Sequence, residues 1–333
     1  MQITKYINFL NKVQKLENNS RYLIDYANIT NNDLKYQKNF FNSDNLEIFN
    51  ERIYTGIPLL IPANTGLFIY RNKFTYDKKK YLKIVYNFNS EKHEPSKNLN
   101  LGNEFLSLPI PKKKHLKTIQ QIRKYNSNIK NKINTLRKKF KFLAAFQTRN
   151  IPHSGHEEII KYLLTKTNHV VINPLIGPKK SGDLTPKALY FAFRYLKKYY
   201  GDKISFFPII ANMFYAGPRE AMHHANIREQ FGFTHFAVGR DHAGHGNLYK
   251  YDLAPKKIRK HNEKFLINLI THFGSYWSKK HDKIVVLKTN VRNKKDLVGI
   301  SGSEFRKCLK KKLLYKFARK SLQIYLMEQN ILK

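Results

Sequence analysis

Three short loops hold most of the residues that could do chemistry. The first runs Gln147-Thr148-Arg149-Asn150-Ile151-Pro152-His153-Ser154-Gly155-His156. His153 and His156 are three apart, so in a helical turn they share one face. At a helix start they would flank free backbone N–H groups and the positive end of the dipole, which suits the phosphates of a nucleotide. A zinc site is also open to a histidine pair, but it needs a third ligand and, on a helix, usually an i, i+4 spacing. Two structural histidines are the plain alternative. The second loop is Gly239-Arg240-Asp241-His242-Ala243-Gly244-His245-Gly246. Its glycines let backbone approach a ligand closely, and Arg240 can clamp an anion with two parallel bonds. Asp241 could pair with an arginine or hold a metal-bound water. The third is Gly299-Ile300-Ser301-Gly302-Ser303-Glu304-Phe305-Arg306. Taken alone, this third loop reads as a helix cap, with hydroxyls that could also hold a phosphate.

These loops need elements to position them. After Phe142, short apolar runs alternate with helical patterns. Strands are predicted at Phe142–Phe146, His169–Asn173, Ile204–Ile210, His235–Gly239 and Ile284–Leu287. Helices are predicted at Glu157–Thr165, Pro186–Tyr200, Pro218–Phe231, Lys256–Phe273 and Ser303–Lys311. Alternation of this kind implies βαβ units and an α/β fold with a parallel sheet, whose ligands bind outside the C-terminal strand ends. Before it, residues 111–141 form a basic stretch. Leu116, Ile119, Ile122, Ile129, Ile133 and Leu136 recur there at helical spacing, so a solvated helical connector is expected. Residues 1–110 show poor periodicity and alternating runs at Ile57–Ile61, Leu67–Tyr70 and Tyr81–Phe88, which predict a small β-rich domain.

Composition sets the outer bounds. The chain has 333 residues and a net charge of +39, yet 41% hydrophobic content suffices for a core, which excludes wholesale disorder. A single cysteine, Cys308, excludes an internal disulfide framework and a cysteine-cluster zinc site. No run reaches the ~18 apolar residues of a membrane span, and the N-terminal stretch lacks the apolar core of a signal peptide. A soluble, cytoplasmic protein is expected. The lysines are spread along the whole chain, as compositional bias would spread them, rather than gathered for a polyanion partner.

Taken in order, the loops resemble ATP sulfurylase (sulfate adenylyltransferase), within the HxGH nucleotidyltransferase superfamily. The middle block carries most of the likeness: Gly217-Pro218-Arg219-Glu220-Ala221, His224-Ala225, Arg228, Gly232, Thr234-His235-Phe236 and Val238 to Gly244. Asn173 to Gly177 with Lys180 and Gly182-Asp183 resembles the family's segment between the first loop and this middle block. The likeness runs from about Ala144 to Arg306 and implies a Rossmann-like nucleotidyltransferase domain (142–333). By that likeness the domain follows a connector (111–141) and a diverged β-rich PUA-like domain (1–110). It implies conversion of ATP and sulfate to adenosine 5′-phosphosulfate and pyrophosphate, or the reverse.

The resemblance also implies roles. Gln147, Arg149 and the Ala243 backbone would hold sulfate. Thr148 and Asn150 would position the α-phosphate, and His153 and His156 would meet the departing pyrophosphate. Gly239, Arg240, Asp241 and His242 would complete the nucleotide pocket, with Ser301 and Ser303 as further phosphate contacts. Mg2+ would arrive bound to ATP, with no zinc, no membrane and no nucleic-acid partner, and a homo-oligomer is expected. Several positions depart from the family pattern, among them Ile151-Pro152, Asn173 and the run from Asn247 to Asp252. Two other functions remain open: adenylylation of another acceptor, and a basic nucleic-acid-binding protein with a decayed core. A decayed core should have lost some of Gln147, Arg149, His153, His156, Arg240 and His242, and all are present.

Overall fold

The computed structural model describes residues 2–52, 56–87, 93–97, 99–178, 184–246, 248–291 and 293–329. Lys180, Gly182, Asp183 and Asn247 of the motif segments lie outside the described residues. The N-terminal part carries α1 (Gln2–Gln14), α2 (Arg21–Thr30), α3 (Ser43–Glu51), β1 (Phe68–Tyr70), β2 (Lys73–Thr75), α4 (Lys78–Tyr86), α5 (Glu94–Lys97), β3 (Glu104–Leu106) and β4 (Pro109–Pro111). The long helix α6 (Lys113–Lys139) follows. The remainder alternates β5 (Leu143–Phe146), α7 (Ser154–Leu164), β6 (His169–Ile172), β7 (Leu175–Ile176), α8 (Pro186–Tyr200), β8 (Ile204–Phe206), β9 (Ile209–Ile210), α9 (Pro218–Gln230) and β10 (His235–Val238). It ends in α10 (Leu253–Lys260), β11 (Asn268–Thr271), β12 (Ser275–Ser278), β13 (Lys283–Val286), β14 (Leu297–Gly299), α11 (Gly302–Lys310) and α12 (Lys320–Glu328).

A parallel five-stranded sheet of order β11-β10-β5-β6-β8 organises this α/β part. Strand order reverses between β5 and β10, so a crevice opens where those two strands end. The central strands β5 and β6 are buried on both faces, with side chains alternating between two cores. Leu143, Ala145, Val171, Phe236 and Val238 enter one core, while Ala144, Phe146, Val170, Ile172 and Ala237 enter the other.

Several expectations are corrected. The described part of residues 1–110 is mostly helical, with strands only in two two-stranded antiparallel pairs, β1–β4 and β2–β3. The run from Tyr81, read as a strand, forms α4. Asp77 caps that helix by accepting from the Lys79 and Lys80 amides at 2.6 and 3.0 Å, and Tyr81, Val85 and Tyr86 turn inward. Phe88 lies outside the described residues, and Ile57–Ile61 is buried but forms no strand. Ile204–Ile210 divides into β8 and β9. Lys256–Phe273 is helical only to Lys260 and then becomes β11, the edge of the parallel sheet. Ile284–Leu287 falls largely in β13, which belongs to a separate antiparallel sheet, β13-β12-β14.

Helix α6 is not a solvated connector. Ile119, Ile122, Ile129 and Ile133 are buried in the core that also holds the helices of the N-terminal part, each isoleucine contributing about 2 kcal/mol of apolar burial. Asn126 is fully buried on the same face. Its amide donates to Asn28 Oδ1 (3.1 Å), Asp33 Oδ2 (2.8 Å) and the Ile210 carbonyl (2.9 Å) and accepts from the Ile210 amide (3.0 Å). One polar side chain thus ties α2, α6 and β9 together.

Candidate active site

The crevice between β5 and β10 is a cavity of about 470 Å³. The loop after β5 lines it with Gln147, Thr148, Arg149, Asn150, His153 and His156. The loop after β10 adds Gly239, Arg240, Asp241, His242 and Ala243, and the start of α11 adds Ser301 and Ser303. Every site residue expected from sequence therefore meets in one place. Residues that were not assigned there also line it, among them Met213, His272, Gly274, Ser275 and Arg306.

The histidine pair is locked by its own helix start. His153 is the N-cap of α7, and its Nδ1 accepts the His156 amide at 3.3 Å. His156 Nδ1 accepts the His153 amide at 3.4 Å, and the two rings stack with centroids 3.9 Å apart. Both Nδ1 atoms act as acceptors, so both rings carry their proton on Nε2 when neutral. His156 Nε2 lies 3.4 Å from Thr148 Oγ1, which accepts the Asn150 amide at 3.1 Å. Burial lowers the pKa of His153 to about 4, with Arg240 pushing the same way. Burial lowers His156 well below its ordinary value, helped by His153 and His272. At neutral pH the pair is an uncharged set of N–H donors at a helix N-terminus.

Around it the cavity is cationic. Arg149 places its guanidinium carbon 5.4 Å from the Tyr215 ring centroid, and its Nη1 has no hydrogen-bond partner among the described residues. Gln147 Oε1 is likewise buried without one. Arg240 lies over the Tyr276 ring at 4.7 Å and donates to its hydroxyl. A Cβ at Gly274, where φ is +97°, would come within 2.6 Å of Arg240 Nε, so the glycine makes room for that arginine. Arg306 donates to Asn150 Oδ1 and, at 3.2 Å, to Ser303 Oγ, which joins the third loop to the first. Ser301 caps α11 by accepting the Glu304 amide at 3.2 Å, so it serves the helix while lining the cavity. Asp241 is the one carboxylate among the described lining residues. No group of three or more His, Cys, Asp or Glu able to hold a metal ion occurs among the described residues, and no described helix is long and apolar enough to cross a membrane.

The buried histidines make stability depend on pH. Burial takes His153 and His272 to about 4 and His223 to about 3, against about 6.5 when unfolded. Below pH 6.5 the unfolded chain binds protons that the folded chain refuses, so these groups lose stability as pH falls toward 4. Asp25, raised to about 6 by burial, works in the opposite direction and offsets part of the loss. The thermal midpoint is expected to fall steadily from pH 7 to pH 4.5. A midpoint that is flat or rises over that range, read by circular dichroism, would mean these imidazoles are solvated.

The ATP-sulfurylase family model matches residues 120–322. A sulfate adenylyltransferase of Staphylothermus marinus is 41% identical over 176 residues, covering 52% of this chain and 46% of that protein. One from Ignicoccus hospitalis is 51% identical over 114 residues, covering 34% and 30%. One from Persephonella marina is 30% identical over 256 residues, covering 74% and 65%. In each case the match spans less than two thirds of the relative's own length. Among solved structures, a hexameric APS kinase from Thiobacillus denitrificans is 14% identical at a TM-score of 0.48, covering 68% of this chain and 44% of that one. The matched region contains the whole cavity lining, and the chain belongs to the ATP-sulfurylase family.

Proposed function

We propose that this chain is a sulfate adenylyltransferase, joining sulfate to the adenylyl group of ATP and releasing pyrophosphate, or running the reverse. The observation that carries the reading is the convergence of Gln147, Arg149 and the His153–His156 helix start in one cavity, with Arg149 Nη1 left without a protein partner. In this reading residues 142–333 are the catalytic unit and residues 1–141 support it.

The chemistry follows from charge. A sulfate oxygen attacks the α-phosphorus, an S–O–P bridge forms, and the bond to the β-phosphate oxygen breaks. Sulfate is already ionised, so no base is needed. Two anions must be brought together, so positioning and charge neutralisation carry the rate. Gln147, Arg149 and the Ala243 backbone bind sulfate, while Thr148 and Asn150 set the α-phosphate. His153 and His156 offer Nε2–H donors to the departing pyrophosphate. Gly239, Arg240, Asp241 and His242 hold the nucleotide, and Ser301 and Ser303 hold phosphate oxygens. Mg2+ enters as part of MgATP, held by phosphate oxygens. A single carboxylate, Asp241, among the described lining residues fits that arrangement better than a protein-built metal site.

Molybdate tests the reading, because its anhydride with AMP hydrolyses at once. Protein with ATP, Mg2+, molybdate and pyrophosphatase is expected to release AMP, and sulfate is expected to compete. Folded protein that leaves ATP untouched would refute it. AMP transfer to pantetheine phosphate or nicotinate mononucleotide in place of sulfate would point to another acceptor.

A further inference from the structure

Tyr215 holds a left-handed backbone, with φ at 59°. That conformation is costly for a bulky L residue and persists only where the surroundings impose it. Here three buried groups do so. The Glu220 carboxylate accepts the amides on either side of it, Phe214 at 2.9 Å and Ala216 at 2.8 Å. His93 lies 3.1 Å from the Tyr215 carbonyl through Nε2, and a carbonyl can only accept, so Nε2 carries the proton. Its Nδ1 accepts the Ser96 amide at 3.1 Å, which fixes the same tautomer from the other side. Arg21, on α2, donates to the Met213 carbonyl at 3.1 Å.

The braced turn carries the Tyr215 ring, and Arg149 sits on that ring. A guanidinium laid on an aromatic ring is held in place without spending its N–H donors. Arg149 Nη1 is accordingly left without a protein partner beside the cavity.

We propose that Tyr215 is a positioning residue that holds Arg149 in its anion-binding pose, and that His93 and Glu220 act through it. The N-terminal part thereby sets the affinity for the anionic acceptor, although none of its described residues lines the cavity. This rests on the reading of Arg149 as a sulfate ligand.

The test is steady-state kinetics with sulfate and ATP varied separately. Glycine adopts the left-handed conformation freely, so Tyr215→Gly removes the ring and leaves the turn intact. It is expected to raise KM for sulfate about tenfold, with KM for ATP nearly unchanged and an unaltered circular dichroism spectrum. Tyr215→Phe keeps the ring and should behave as the parent. His93→Leu should shift the sulfate KM in the same direction, and His93→Gln, which can still donate to the carbonyl, should restore most of it. If Tyr215→Gly leaves the sulfate KM unchanged while Arg149→Ala abolishes sulfate-dependent turnover, this inference fails and the functional reading stands. A fall in kcat alone, with both KM values unmoved, would overturn it as well. If Arg149→Ala turns over sulfate normally, the functional reading fails first and the inference falls with it.

Discussion

Arg149→Ala is expected to cut sulfate-dependent AMP transfer by roughly a thousandfold or more while leaving the thermal midpoint within about one degree. Both halves follow from what the side chain touches. Its guanidinium rests on the Tyr215 ring, and Nη1 makes no hydrogen bond to a described residue. Removing it therefore takes little from the folded state. In the proposed reaction it would neutralise a doubly charged nucleophile approaching a triphosphate, inside a cavity where few other cations can replace it. Arg240 and Arg306 also line that cavity, but Arg240 is committed to Tyr276, and Arg306 to Asn150 and Ser303. Arg149→Lys should recover only part of the loss, because an ammonium cannot present the planar fork. Isothermal titration with sulfate and a molybdate-driven AMP assay would measure the two effects separately. Turnover of Arg149→Ala within tenfold of the parent would remove this arginine from the anion site.

The site was legible because its chemistry follows strands. Gln147 to His156 and Gly239 to Ala243 stand directly after short apolar runs read as strands, and the sheet delivers both loops to one crevice. His272, Gly274 and Ser275 were missed for the mirror-image reason. They follow β11, whose residues were absorbed into a helix reading that ran on from α10. Arg306 stood in a quoted motif, but its role depends on meeting Asn150, a contact that spacing does not reveal. The N-terminal part was opaque for a physical cause. Its helices are stabilised by contacts with residues far along the chain, such as Arg21 to Met213, 192 positions away. Local periodicity carries no trace of such partners. Helix α6 shows the same limit: its apolar spacing was clear, but spacing does not reveal the partners by which Asn126 stitches it to α2 and β9.

Arg228→Ala is expected to destabilise the fold by about 3 kcal/mol or more, lowering the thermal midpoint by roughly 4–6 °C. Arg228 lies on α9 and is fully buried. Its Nε donates to Asn173 Oδ1 at 2.9 Å and its Nη2 to the Asn173 carbonyl at 2.8 Å, with the guanidinium 5.1 Å from the Phe236 ring centroid. It thus clamps α9 to the segment after β6. Burial lowers its pKa to about 9, against which the nearby Glu220 carboxylate pulls it up. Alanine would leave a void and two acceptors of Asn173 without a donor, and each of those effects is destabilising. Removing a buried charge also relieves a desolvation cost, so the outcome depends on what fills the space. Arg228→Met should therefore be milder than alanine, and Arg228→Lys intermediate, since it keeps the charge but loses the two-pronged bond. Urea titration would show a lower midpoint at an unchanged slope. A loss below about 1 kcal/mol for alanine would mean that water enters the site and replaces the guanidinium.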